Sequence, residues 1–163
     1  MVDVTEDNVC ITREQPGRCE GYYSQIIAAT PSSIPILAHN IVSPEAMYEA
    51  FRRMRSMLRY MPIACSRMQS VGAELHIIPK RRGSSSLPEW KHLWTDDCEK
   101  ERKEFDARNR GTGGLYCSCG EENLIQNVDE KEDRYFGRDI CVHELAHTIL
   151  SFGTTKCNMY TYL

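Results

Sequence analysis

Apolar residues recur at three- and four-residue steps in one stretch of this chain and predict its best-defined helix. The series consists of Met47, Ala50, Phe51, Met54, Met57, Leu58 and Met61. Such spacing gives an α-helix one apolar face. Ser43 and Pro44, just before the series, are residue types favoured at the N-cap and the first helical position, and Pro62 marks the end. The sequence therefore predicts a helix from about Ser43 to Pro62 that buries a methionine-rich face.

Short apolar segments predict strands on both sides of this helix. Residues 22–29 and Ile34–Ala38 are typical of two strands or one interrupted strand, and Glu74–Ile78 is typical of another. A strand–helix–strand order favours a parallel pair of strands. His76 alternates with apolar neighbours, so we expect its side chain to lie on the other side of the sheet and not to bind a ligand.

The remaining segments are more polar. Residues 1–20 predict a flexible lead-in before one domain over residues 21–163, and the densely charged residues 96–108 predict a peripheral helix. Residues 110–114 are rich in glycine but lack the Gly-Lys-Ser/Thr that holds phosphate, which favours a tight turn over nucleotide binding. Residues 121–125 predict a short extended segment.

Candidate chemistry is concentrated in residues 143–147, an H-E-x-x-H pentapeptide within an apolar run. On a helix, residues four apart differ by only about 40° in direction and about 6 Å in rise, so His143 and His147 can face one point. Two imidazole nitrogens of this kind make half of a tetrahedral zinc site. Glu144 lies about 100° round the helix, where it can take a proton from a water activated by the metal. The alternative is a core helix that carries two histidines without a metal.

The composition and the net charge of the chain limit the classes of protein to which it can belong. The chain has 163 residues, 41% hydrophobic and 26% charged, which suits one ordinary globular domain. A net charge of −3 gives no electrostatic footprint for nucleic acid, and no apolar run approaches the length of about 20 residues that a membrane span needs. We therefore expect neither a nucleic-acid partner nor a membrane span.

The cysteines and the N-terminus favour different compartments. Eight cysteines slightly favour a secreted, disulfide-bonded domain, but the first residues lack the pattern of a secretory signal. Either a signal has been removed, or the thiols are mostly reduced inside a cell. Cys117 and Cys119 are accordingly interpreted as disulfide partners or as structural thiols rather than as half of a metal site.

Several stretches of the chain resemble, in order, a group of zinc metallopeptidases with the zincin fold, distant relatives of the anthrax lethal factor catalytic domain. The stretches are 34–37 (IPIL), 42–46 (VSPEA), 72–76 (GAELH), Gly113-Gly114, 121–125 (EENLI), 133–137 (DRYFG) and 140–148 (ICVHELAHT). The resemblance covers about residues 22–150. The H-E-x-x-H motif is specific to zincins in general. The EENL stretch favours, among the zincins, the group related to the lethal factor catalytic domain.

The resemblance implies an α+β zincin: a twisted mixed sheet with an upper helix, an edge strand along the substrate cleft and the active-site helix beneath. It implies that His143 and His147 bind Zn²⁺ and that Glu144 is the general base of peptide-bond hydrolysis, with a peptide or protein as substrate. It also implies that residues 121–125 lie at the edge of the cleft.

One departure from the family concerns the third zinc ligand. A catalytic zinc ion has three protein ligands, and gluzincins take the third from a glutamate on a later helix. Residues 148–163 contain no Asp, Glu or His, and Cys157 is the only downstream residue of a good ligand type. We therefore expect a shortened catalytic domain with an incomplete C-terminal subdomain and reduced or absent activity. The apolar side chains expected to be partly exposed as a result are Val142, Ile149, Leu150 and Phe152.

Three hypotheses follow from the sequence. The first is a zinc metallopeptidase whose activity depends on Glu144. The second is a non-catalytic binding or regulatory module that keeps the zincin fold. The third is a cysteine-stabilised structural domain in which H-E-x-x-H is a coincidence. The oligomeric state does not follow from the sequence.

Overall fold

The computed structural model describes residues 22–29, 34–125, 129 and 131–154. The predicted lead-in over residues 1–20 and the candidate ligand Cys157 lie outside the described residues. The helices are α1 (Pro44–Leu58), α2 (Pro62–Ser70), α3 (Pro88–Lys91), α4 (Glu99–Arg108) and α5 (Ile140–Thr148). The strands are β1 (Gln25–Ala29), β2 (Ile34–Ala38), β3 (Glu74–Ile78), β4 (Gly111–Thr112) and β5 (Tyr116–Gly120).

The five strands form one mixed sheet in the order β1-β2-β3-β5-β4. The central pairs β2–β3 and β3–β5 are parallel, and the outer pairs β1–β2 and β4–β5 are antiparallel. The predicted parallel pair on either side of the long helix is therefore confirmed, as is the mixed α+β fold class. No helix in the described part of the chain has the length and apolar character needed to cross a bilayer.

The main core lies on the face of the sheet that carries α1, α2 and α5, here called the inner face. Its members from α1 are Ala46, Met47, Ala50, Phe51, Met54 and Leu58. Each fully buried Leu, Phe or Met side chain contributes about 1.5–3 kcal/mol, so this face holds α1 on the sheet. Ser43 caps the helix by accepting a hydrogen bond from the Ala46 amide at 3.2 Å. The predicted buried face and N-cap of α1 are confirmed.

A smaller apolar cluster covers the opposite face of the sheet, here called the outer face. It consists of Tyr23, Ile26, Leu37, Ile78 and Leu87. Because both faces are covered, all five residues of β3 are buried. His76 lies on the outer face, as its alternation with apolar neighbours predicts.

The structure departs from the sequence predictions at four elements. The chain continues after α1 as a second helix, α2, in which Pro62 occupies the first position. Tyr116–Gly120 is a central strand, although no strand was predicted there. Residues 121–125 are not extended: Glu121–Asn123 form a 3-10 turn. Helix α5 continues as a π-helical turn over Ile149–Gly153.

Candidate metal centre

Helix α5, which carries the H-E-x-x-H motif, begins after an N-cap residue. Asp139 has extended backbone angles, φ −94° and ψ 92°, and its carboxylate accepts a hydrogen bond from the Val142 amide at 3.0 Å. The residue is therefore the N-cap of α5. Arg53 Nε lies 3.2 Å from the same carboxylate and ties this cap to α1.

The two faces of α5 differ in burial. Ile140, Cys141, Leu145 and Thr148 are buried against the sheet and α1, while His143 and His147 are exposed and Glu144 is partly buried. The apolar positions thus fix the helix so that both imidazoles face solvent. A ligand can therefore reach them without any change in the core.

The imidazoles of His143 and His147 converge. Their Nε2 atoms are 3.2 Å apart and their rings are inclined by 81°. Two nitrogens at about 2.0–2.1 Å from a tetrahedral zinc ion would be about 3.3 Å apart. The observed spacing therefore fits two ligands of one metal ion.

A carboxylate completes the cluster. One ligand atom from each of His143, Glu144 and His147 can be chosen so that all lie within 4.8 Å of one another. Within the described ranges, no further His, Cys, Asp or Glu joins this group. Divalent metals with mixed nitrogen and oxygen ligands, zinc among them, suit this donor set.

Glycines of the β4–β5 hairpin let the sheet approach α5 closely. A Cβ atom on Gly111 would lie 2.6 Å from Ile140 Cγ2 and 3.1 Å from Glu144 Cγ. A Cβ atom on Gly113 would lie 2.6 Å from His147 Cβ. Only glycine fits at these two positions without a shift of the helix. The glycine-rich stretch makes the predicted turn, in which Gly114 has φ +132°. The same stretch packs directly against Glu144 and His147 of α5.

A buried hydroxyl attaches the same hairpin to the end of α5. Thr148 Oγ1 donates a hydrogen bond to the Gly114 carbonyl at 2.8 Å, and the Thr148 side chain is almost fully buried. The hydrogen bond holds the turn of helix that contains His147 against the hairpin. The role of Thr148 was not predicted, although its hydroxyl next to the motif was a visible signal.

Asn123 fixes the other end of α5. Its Oδ1 accepts a hydrogen bond from the Ile140 amide at 2.8 Å, and its Nδ2 donates to the Arg138 carbonyl at 2.7 Å. One amide side chain therefore satisfies a free donor of the first helical turn and holds the residue before the cap. Asn123 therefore positions the start of α5 through these two bonds.

The two glutamates before Asn123 are also structural. The Glu121 carboxylate accepts hydrogen bonds from the Ser43 amide at 2.8 Å and the Lys80 amide at 2.9 Å. Glu122 pairs with Arg110, with its Oε1 2.6 Å from Arg110 Nε. Both carboxylates are buried. The prediction of an extended segment over residues 121–125 is wrong, because Glu121–Asn123 form a 3-10 turn whose carboxylates bond to the scaffold. Its position at the edge of a substrate cleft stays a prediction.

Part of that turn borders an open depression of about 310 Å³ beside the start of α5, with Phe136 and Gly137 on its other side. Among the charged groups that line it, Arg53 pairs with Asp139 and Glu122 pairs with Arg110. Asp133, a further lining residue, accepts a hydrogen bond from Asn123 Nδ2 at 2.9 Å.

The described cysteines are free thiols, namely Cys65, Cys98, Cys117, Cys119 and Cys141. Burial, with the nearby Cys141, raises the pKa of the Cys117 thiol far above its usual range, and a hydrogen bond with Cys141 together with burial raises that of Cys119. Thiols that stay protonated are poor metal ligands. Of the two interpretations of Cys117 and Cys119, structural thiols are confirmed.

The exposure expected around α5 is confirmed at three positions of four. Leu150 is 64% exposed, and Val142 and Phe152 are partly exposed. Ile149 is buried, contrary to expectation, because the π-helical turn directs it into the main core.

No protein-family model, no curated protein and no solved structure matches this chain. The resemblance to zincin peptidases therefore stays a prediction from the sequence motifs. What the structure itself provides is a His-Glu-His cluster that can hold a metal ion, on an exposed face of an anchored helix.

Proposed function

We propose that this chain is a zinc-dependent peptidase whose His143 and His147 hold the metal and whose Glu144 is the general base. The observation that carries the proposal is the spacing of the two Nε2 atoms, 3.2 Å, on a solvent-exposed face. A coincidental pair of histidines on a core helix would not need to converge to the separation of two zinc ligands.

The fold supports the zincin resemblance at the level of element order. In this assignment α1 is the upper helix, α5 is the active-site helix, and β4 is the antiparallel edge strand. Gly111 of β4 lies directly against α5. An edge strand beside the site helix is where a zincin accommodates an extended peptide.

Each side chain of the cluster has one role in the proposed reaction. A bound zinc ion supplies Lewis-acid polarisation of the peptide carbonyl and lowers the pKa of water at the site. Glu144 accepts a proton from the attacking water and delivers it to the leaving amine nitrogen. Its partial burial beside Gly111 restrains the carboxylate on the side of the helix next to the imidazoles.

Because Glu144 is assigned here as the base, the described part of the chain offers no third ligand at the cluster, and this favours a second candidate function. A site with two histidines and no further protein ligand is expected to bind zinc weakly, because catalytic zinc sites use three protein ligands. The second candidate is a non-catalytic module that binds a metal or a partner through the same face. The two candidates share the metal cluster and differ in whether Glu144 turns over a substrate.

Metal binding is tested first, on the full chain. We expect elemental analysis of the dialysed protein to find up to one zinc ion per chain, and a competition titration to give a measurable affinity. His143→Ala and His147→Ala should each lower that affinity at least tenfold. His92→Ala is the matched control, because His92 is an exposed histidine far along the chain from the motif. Equal zinc binding by all four proteins would refute the proposed centre.

Catalysis is tested separately with a library of quenched fluorescent peptides. Glu144→Gln should abolish zinc-dependent cleavage and leave zinc binding intact, whereas Glu101→Gln, at an exposed position on α4, should change neither. Cleavage that survives Glu144→Gln would eliminate the peptidase mechanism. Zinc binding without cleavage in the unsubstituted chain would favour the non-catalytic module.

A further inference from the structure

A buried cluster of ionisable side chains lies on the outer face of the sheet, away from the metal centre. His76 Nδ1 is 2.6 Å from Glu89 Oε1, and His76 Nε2 is 2.9 Å from Glu74 Oε2. Tyr23 donates its hydroxyl proton to Glu89 Oε2 at 2.6 Å, and Tyr116 of β5 stacks on the imidazole. The exposed fraction is 3% for His76 and 10% for Glu89. These residues come from four separate parts of the fold.

Both carboxylate oxygens of Glu89 are engaged in this cluster. Oε1 faces His76 Nδ1, and Oε2 accepts a hydrogen bond from the Tyr23 hydroxyl. The same hydroxyl lies 2.8 Å from His76 Nδ1, so Tyr23, His76 and Glu89 all contact one another. A proton added to Glu89 must therefore displace one of its two contacts.

Glu89 belongs to a segment that covers the outer face, residues 84–94, here called the outer strap. Leu87 of the strap is fully buried in the outer cluster, and Trp90 packs beside it. Trp90 and Trp94 both contact Phe105 of α4, with ring centroids 5.9 Å and 5.2 Å away. The strap thus carries both tryptophans of the chain.

Two buried polar groups of the outer strap lack a hydrogen-bond partner among the described residues. They are the indole Nε1 atoms of Trp90 and Trp94. A buried donor without an acceptor is unfavourable, and opening the strap would let water bond to both. The bonds to Glu89 therefore hold a segment whose two indole N–H groups gain hydrogen bonds with water when it leaves the sheet. The first residues of the strap have bonds of their own, from Ser84 to the Asn109 carbonyl and from Ser85 to Asp106.

The pKa of Glu89 gives the direction of the pH effect. Burial raises this pKa, but the hydrogen bond and charge of His76 and the hydroxyl of Tyr23 outweigh burial and hold the pKa below its ordinary value. A lowered carboxyl pKa means that the stabilising effect is present above the ordinary glutamate range, about 4.3, and is lost as the pH falls through the lowered value.

We propose that Tyr23, Glu74, His76 and Glu89 form an acid-released latch. Protonation of Glu89 frees the outer strap from the sheet, while the sheet and the inner face with α5 stay folded. The latch does not depend on the proposed peptidase function.

Tryptophan emission reads the latch directly, since both tryptophans lie in the strap. In the full chain, titrated from pH 7 to pH 3, we expect a red shift of emission at a pH where far-ultraviolet circular dichroism is still unchanged. Glu89→Gln should remove that transition, because an amide oxygen accepts the same bond but does not titrate. Glu101→Gln on α4 is the matched control and should titrate like the unsubstituted chain.

Tyr23→Phe is a second, independent variant that keeps the ring and removes one donor to Glu89. It should move the emission midpoint to higher pH by about one unit, because a hydrogen bond to a charged group is lost. An emission change that coincides with the loss of circular dichroism would overturn the proposal. So would a transition that is the same in Glu89→Gln, or a Tyr23→Phe midpoint that does not move.

Discussion

The contact between Gly113 and His147 allows a test of how the hairpin positions the proposed metal ligands. Gly113→Ala adds one methyl group that would lie 2.6 Å from His147 Cβ and 3.4 Å from the Glu144 carbonyl oxygen. Non-bonded carbon atoms are most favourable at about 3.5–4.0 Å. The hairpin and the His147 side chain must therefore separate by about 1 Å in this variant.

Two consequences of that separation can be given magnitudes. Overpacking of this kind costs about 1–3 kcal/mol of unfolding free energy. In a chain of this size each kcal/mol lowers the Tm by about 2–4 °C. Zinc sites tolerate deviations of only about 0.2 Å in ligand distance, so a displaced His147 should lower zinc affinity by about 10- to 100-fold.

The adjacent variant Gly114→Ala separates positioning from general destabilisation. A Cβ atom on Gly114 meets nothing within 4 Å, but the residue has φ +132°, which is strained for alanine. We expect both variants to lose stability in thermal unfolding and only Gly113→Ala to lose zinc affinity in a competition titration. If the two variants lost zinc affinity equally, the contact with His147 would have no positioning role.

Three further predictions concern two supports of α5 and one buried thiol of β5. Thr148→Val removes the donor to the Gly114 carbonyl and should cost about 1–3 kcal/mol in chemical denaturation, with no loss if that bond contributes nothing. Asp139→Ala should cost about 0.5–2 kcal/mol through the lost cap, whereas Asp139→Asn, which keeps an acceptor, should recover most of it. Because burial raises the pKa of Cys117, the stability of the fold should fall as the pH rises above about 8.5, where the unfolded thiol ionises. Cys117→Ser should make that fall shallower, and Cys98→Ser, at a partly exposed thiol, should not.

Elements with a strong local signal were predictable from the sequence. The methionine series and the Ser43–Pro44 cap of α1 act within a few residues of one another, so the sequence pattern and the structure agree. The convergence of His143 and His147 is likewise a local property, since it follows from the four-residue spacing of a helix. Both features depend on no distant contact.

Other elements are determined by contacts that a local pattern does not carry. β5 has small and weakly apolar residues, Tyr116 to Gly120, and becomes a strand because it pairs with β3 on one side and β4 on the other. Residues 121–125 were predicted to form a short extended segment. They form a turn instead because Glu121 reaches the amides of Ser43 and Lys80, which are 78 and 41 residues away in sequence.

The supports of the metal centre were less predictable than its ligands. Gly113 and Thr148 support the cluster through contacts between the β4–β5 hairpin and α5. The sequence does not show that these two elements pack against each other. The outer cluster was missed for the same reason. His76 was correctly expected on the other side of the sheet, but its partner Glu89 comes from the short helix α3, which was not predicted from the sequence.

The bridge made by Glu121 also constrains the order in which the chain can fold. The start of α1 is completed by a carboxylate that follows β5, and β5 inserts between β3 and β4. A nascent chain ending before Tyr116 lacks the strand that joins β3 to β4. A chain ending before Glu121 still lacks the carboxylate that accepts a hydrogen bond from the Ser43 amide at the N-cap of α1. We therefore expect the polypeptide to reach native protection only after about 120 residues have left the ribosome, with the β4–β5 hairpin entering as one late unit.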